Sequence, residues 1–164
     1  MNTRHATSKD IPELVRVINL AYRVEDFFID GDRTNAPDVR ARMETPGACF
    51  IVVDSDDAKS LAAAVFVDIH DNRGHFAVLS VDPAYQGRGL ARVLIDAVEK
   101  HCREAGCEAL DIEVVNLRLE LPAFYRKFGF TPNGTAAFPN DEKLTREAHL
   151  ILMSKPIRPS SLAE

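Results

Sequence analysis

The apolar positions of the chain fall into runs of two kinds. Leu90, Leu94, Ala97, Val98, His101 and Ala105 recur at the spacing of one helical face, so the spacing predicts a helix that begins near Leu90 and stops near Gly106. Immediately before it, His75 to Val81 is a short apolar run that reads as a strand. Cys49–Val53 and Leu61–Ile69 are apolar, β-branched runs separated by the polar stretch Asp54 to Ser60, the pattern of a hairpin. Leu110, Ile112 and Val114 alternate with Asp111 and Glu113, which predicts a half-buried strand. Leu14, Val17, Ile18 and Ala21 share a helical face running to about Tyr22; Asp10, Pro12 and Glu13 at its start resemble a capping box.

The remaining stretches are shorter or less regular. Thr3 to Thr7 suits a first strand, Pro37 to Met43 a short helix, and Leu119 to Lys127 a helix that carries Pro122 in its first turn. Thr131 to Asp141 is rich in Pro, Asn and Gly and reads as loop, whereas His149 to Met153 reads as a final strand. Arg23 to Asn35 mixes aromatics with both charge signs and has no period; a loop of that kind is either a partly buried connection or a lid over a substrate. The order of elements predicts a mixed α+β domain, with helices on both faces of one sheet. One domain over residues 1–156 and a frayed tail over 157–164 are expected.

Composition narrows the function. The 164 residues suit one domain with a sizeable core, and the apolar fraction of 46% is ordinary. A net charge of −5 argues against nucleic acid or an anionic membrane as partner. The N-terminus shows no apolar signal region and no run reaches the length of a membrane span, so a cytoplasmic protein is expected. Cys49, Cys102 and Cys107 are an odd count without metal-ligand spacing. They read as buried free thiols, and no metal is expected.

The candidate chemistry centres on Gln86-Gly87-Arg88-Gly89-Leu90-Ala91, where a strand passes through a glycine-rich bend into a helix. A helix start presents unpartnered N–H groups and partial positive charge, a site for a phosphate-sized anion. Glycine lets a ligand approach the backbone, and Arg88 adds a permanent charge. The spacing is neither a dinucleotide fingerprint nor a P-loop.

This run, preceded by Leu79-Ser80-Val81-Asp82-Pro83, resembles the acetyl-CoA signature of the GCN5-related N-acetyltransferases (GNAT). A second stretch, Glu113 to Phe130, resembles the family's other cofactor segment, with Asn116, Phe124, Tyr125, Gly129 and Phe130 in the matching places, although the spacing from Asn to Tyr is longer than usual. The resemblance implies a mostly antiparallel sheet of six to seven strands splayed between the fourth and fifth. It implies acetyl-CoA as co-substrate, held by Leu79, Ser80, Val81, Gln86, Gly87, Arg88, Gly89, Leu90, Ala91, Asn116, Phe124 and Tyr125. It also implies direct acetyl transfer to a primary amine, with the Val81 N–H polarising the acyl carbonyl.

For the chemistry itself, Tyr125 is the candidate acid, since a phenol is protonated at neutral pH. The base is not evident: Glu113 is the candidate on β-strand position, with His75 and His149 as alternatives that more often serve structure. In the family the region after the first helix helps form the acceptor pocket. Phe27 and Phe28 would then wall it, and Arg33 would bind a carboxylate of a small-molecule amine. A protein or peptide amine as acceptor, and a non-catalytic acyl-CoA-binding domain, are the alternatives. A homodimer is an arrangement the sequence leaves open.

Overall fold

The computed structural model describes residues 1–139 and 141–160. In chain order the elements are β1 (Thr3–His5), α1 (Ile11–Ala21), α2 (Ala36–Met43), β2 (Ala48–Asp54), β3 (Leu61–His70) and β4 (Arg73–Val81). Then follow α3 (Leu90–Glu104), β5 (Ala109–Val115), α4 (Leu121–Arg126), β6 (Thr131–Ala137) and β7 (His149–Pro156). They form one seven-stranded sheet in the order β1-β2-β3-β4-β5-β7-β6. Every neighbouring pair is antiparallel except β4 with β5.

Helices cover both faces. Leu90, Leu94, Ile95 and Val98 of α3 pack on Ile51, Val65, Val67, Phe76, Ile112 and Met153. Leu14, Val17 and Ile18 of α1, with Val39 of α2, pack on Phe50, Val52, Ala64 and Phe66 of the other face. Because β2 and β3 are buried on both sides, they read as continuous apolar runs rather than alternations. Gly74 lets α3 approach β4: a Cβ there would overlap Cys102 Sγ and come within 2.9 Å of Leu110 Cδ2.

Four expectations need correction. Thr131 to Ala137 is a strand, not loop; it pairs antiparallel with β7 through a register shift between Pro132 and Gly134. As an exposed edge strand it buries no face, so it has no apolar alternation to show. The helix cap lies one turn earlier than expected. Asp10 Oδ2 accepts from the Thr7 N–H at 2.8 Å, while Glu13 Oε1 accepts from the Leu61 N–H at 3.0 Å. The Arg23–Asn35 stretch is largely irregular, but Tyr22–Glu25 forms a 3₁₀ turn and Ile29 bridges to Leu144. Order also extends past residue 156: the Ile157 side chain is buried and its N–H donates to Glu108 O at 3.0 Å. Residues 161–164 of the expected tail lie outside the described residues.

The sheet is splayed where the site forms. β4 and β5 pair only over Arg73–His75 and Ala109–Asp111, after which the two strands run on unpaired with each other. β4 is bent there by a bulge: the β3–β4 register shifts between Ala64 and Phe66, and Val78 takes φ +49°. A β-branched residue rarely adopts that conformation. Ser80 Oγ donates to Val78 O at 2.8 Å across the bulge. Beyond it the Asp82 N–H donates to Ala62 O, so the alternation of an antiparallel ladder turns the Val81 N–H away from β3 and toward the gap.

Candidate active site

The gap between β4 and β5 opens into a cavity of about 560 Å³. Its walls are Phe76, Val78, Leu79 and Val81 of β4, Ile112 to Val115 of β5, Phe124 and Tyr125 of α4, and Gln86 and Ala91 of the glycine loop and α3. Tyr22, Glu25, Arg33, Arg118, Phe138 and Leu150 close the other side. A splayed sheet therefore brings the loop at the start of α3, the Tyr125 phenol and the Glu113 carboxylate to one space.

The glycine loop has the conformation an anion site requires. Gly87 and Gly89 have φ +83° and +75°, and Gly89 caps α3. A Cβ at either would stand in open space with no protein atom within 4 Å, which is the space a ligand can occupy. Among the described residues the N–H groups of Gly87, Arg88, Gly89 and Leu90 take no backbone partner. The Arg88 guanidinium pairs with Asp56 at 3.0 Å and stacks 4.7 Å from the Tyr85 ring centroid, at the margin of the loop. The Ser80 and Leu90 side chains are buried, so these two residues offer backbone alone to a ligand. Asn116 Oδ1 accepts from the His149 N–H at 2.8 Å, which ties β5 to β7; Asn116 does not line the cavity.

Tyr125 is 8% exposed and packs against Phe76, Phe124 and Phe130. Burial pushes its phenol up from the ordinary value, and the neighbouring Tyr22 adds to the rise, so the hydroxyl stays a donor. Glu113 lines the cavity while its Oε2 accepts from His75 Nε2 at 2.7 Å; His75 Nδ1 contacts Asp68 at 2.7 Å. Burial disfavours charge on His75, but the hydrogen bonds to Asp68 and Glu113 outweigh it and push the imidazole up to about 9. A raised pKa means this charge stabilises the fold fully below the ordinary value of 6.5 and ceases to do so as pH rises through about 9. Stability against urea is expected to decline across that window, and His75→Gln to flatten the decline. Parallel profiles for the two proteins would remove His75 as its source.

The residues expected at the acceptor side separate. Arg33 lines the cavity, stacked 4.5 Å from the Tyr22 ring centroid. Phe28 is fully buried in a cluster with Val115, Phe138 and Leu150, and Phe27 is 46% exposed under Arg146. Neither Phe27 nor Phe28 lines the cavity, whose aromatic walls on this side are Tyr22 and Phe138, the latter packed in the same cluster as Phe28. Two residues that sequence reading did not single out complete the site. Glu25, 4% exposed, accepts from Arg33 Nη1 at 3.0 Å and from Arg118 Nη1 at 3.1 Å. Burial raises the Glu25 carboxyl, and the two guanidinium groups oppose that rise. Arg118 also holds Glu120 at 2.9 Å.

These features share one gap in a splayed mixed sheet, and known proteins have the same architecture. The model of the acetyltransferase (GNAT) family matches residues 15–130, and the chain belongs to that family. A mycothiol acetyltransferase of Propionibacterium freudenreichii is 30% identical over 77% of this chain and 42% of its own length. A streptothricin acetyltransferase of Streptomyces lavendulae is 26% identical over 79% of this chain and 68% of its own length. The chain spans less than half the length of the mycothiol acetyltransferases it matches. Among solved structures, a ribosomal-protein-alanine N-acetyltransferase from Brucella melitensis superposes with a TM-score of 0.76, covering 96% of this chain and 100% of that one at 20% identity. That likeness is one of fold. No helix among the described residues is long and apolar enough to cross a membrane.

Proposed function

We propose that this protein transfers an acetyl group from acetyl-CoA to the amine of a small molecule that also carries a carboxylate. The observation that carries the reading is one cavity lined by Val81, Tyr125, Arg33 and the two residues that flank an open glycine loop, Gln86 and Ala91. Acetyl-CoA supplies the activated acyl thioester. The N–H groups from Gly87 to Leu90 would hold its pyrophosphate, and the absence of a Cβ at Gly87 and Gly89 leaves it room. The Val81 N–H, turned into the gap, is placed to stabilise negative charge on the acyl oxygen. Tyr125 Oη gives a proton to the departing sulfur. Glu113, with Oε2 held by His75, has Oε1 to take a proton from the amine, directly or through water. Arg33 spends one Nη on Glu25 and keeps its other donors for a carboxylate. Relatives named for mycothiol and for streptothricin support a small-molecule acceptor.

Thiol release from acetyl-CoA tests the reading, using a panel of amines with and without a carboxylate together with peptide N-termini. Turnover confined to peptides, or none with any amine, would overturn it. Acetyl-CoA is expected to raise Tm, because a ligand that binds only the folded state stabilises it by mass action. Gly89→Val should abolish that shift by filling the pyrophosphate's place; an unchanged shift in the folded variant would sink the loop assignment. On the acceptor side, Arg33→Ala should raise KM for the amine about tenfold or more and leave KM for acetyl-CoA alone, the loss of a charge-assisted hydrogen bond. Equal changes in both constants, or none, would take Arg33 out of the acceptor site.

A further inference from the structure

Sequence spacing gave no reason to expect a metal, yet the fold gathers three ligand-type side chains that lie far apart in the chain. His5 ends β1, Cys49 lies near the start of β2, and His101 sits in the last turn of α3. Their ligand atoms lie within 4.8 Å of one another. The two imidazoles meet edge to face, with ring centroids 5.4 Å apart. Among the described residues, no side-chain hydrogen bond or ion pair engages either ring or the thiol. Cys49 is half-buried and His5 exposed, so the cluster is open to solvent on one side.

We propose that His5, Cys49 and His101 bind a divalent transition metal of borderline softness, zinc being the natural occupant, with water in the fourth position. Two imidazole nitrogens and one thiolate suit zinc and not the oxygen-seeking magnesium or calcium. Bonds of about 2.0–2.3 Å place tetrahedral ligand atoms roughly 3.3–3.8 Å apart. His5, the exposed member, has the most freedom to close the observed spacing by side-chain rotation. On binding, the Cys49 thiol gives its proton to solvent and the sulfur bonds to the metal. Both imidazoles donate lone pairs in their neutral form, and no electron is transferred. The neighbouring Cys102 is no ligand, since it points into the core with Cys107.

The site is structural rather than catalytic. His101 lies eleven residues along α3 from Leu90, about 16 Å from the glycine loop at 1.5 Å per residue. A metal there would staple the short edge strand β1 and strand β2 to the helix packed over them. β1 pairs on one side only, over three residues, and the Arg4 ion pairs to Asp10 and Asp54 hold its other contacts to the sheet edge.

Titration of the full-length, chelator-treated protein with Co²⁺ tests this. One equivalent is expected to produce a thiolate-to-cobalt charge-transfer band and to raise Tm, and Zn²⁺ should displace the band. Cys49→Ser should lose the band although Cys102 and Cys107 remain. His5→Ala, at an exposed position, should weaken Co²⁺ binding at least about tenfold, since losing a ligand costs no less than losing its supporting partner. No band and no Tm shift in the parent protein would overturn the proposal. So would a band that survives in Cys49→Ser, or Co²⁺ affinity unchanged in His5→Ala.

Discussion

Tyr125→Phe is expected to lower kcat about 10²- to 10⁴-fold, the usual range for a general acid, with KM for acetyl-CoA nearly unchanged. The variant keeps the ring, and the ring makes the packing contacts with Phe76, Phe124 and Phe130. What it loses is the hydroxyl of a residue that lines the cavity. Burial raises the phenol above its ordinary value, so the parent's hydroxyl is protonated across the working pH range and the high-pH limb of its rate profile should lie well above neutrality. Steady-state kinetics in both substrates, with melting curves as a check on folding, decide the matter. A Phe variant with parental kcat would show that water protonates the leaving thiolate.

Glu25→Ala should be the most costly change for stability. Its carboxylate is 5% exposed and sits between Arg33 and Arg118, 93 residues apart in sequence from the latter. Removing one member of a buried ionic cluster leaves the others uncompensated and typically costs about 3–5 kcal/mol. Arg33 is partly open to solvent and can rehydrate, so the lower end applies, about 3 kcal/mol, or roughly 6–12 °C in Tm for a domain of this size. The double variant Glu25→Ala, Arg118→Ala should fall by less than the sum of the single losses, because the groups share one interaction. Additive losses would mean that Glu25 and Arg118 act independently and that their ion pair contributes little.

The strand-loop-helix segment proposed to hold the cofactor was legible as structure because its signals are local. Asp82 to Ala91 is one strand end, one turn and one helix start, and the residues that matter are contiguous. The same holds for the hairpin β2–β3 and the face of α3, where burial enforces periodicity. β6 was not legible, because an exposed edge strand with Pro132 and Gly134 is held by pairing with β7 and not by burial. Glu25 and Arg118 were not legible either. A buried carboxylate announces itself only through partners that folding supplies from distant parts of the chain. Phe28 shows the converse: an aromatic in an aperiodic loop suits a pocket wall by its sequence, whereas it anchors the loop in a small core of its own.

The splay of β4 from β5 divides the cavity by the kind of atom that forms it. On the side of the glycine loop the groups open to a ligand are peptide groups: the loop N–H groups and the bulged end of β4, both fixed by backbone geometry. On the opposite side they are side chains, among them Glu25, Arg33, Arg118 and Phe138, carried by turns and loops outside the sheet and the α-helices. Under the proposed function, a fold arranged in this way can change its acceptor by single substitutions without redrawing the part that would bind acetyl-CoA, so new specificities are accessible one mutation at a time.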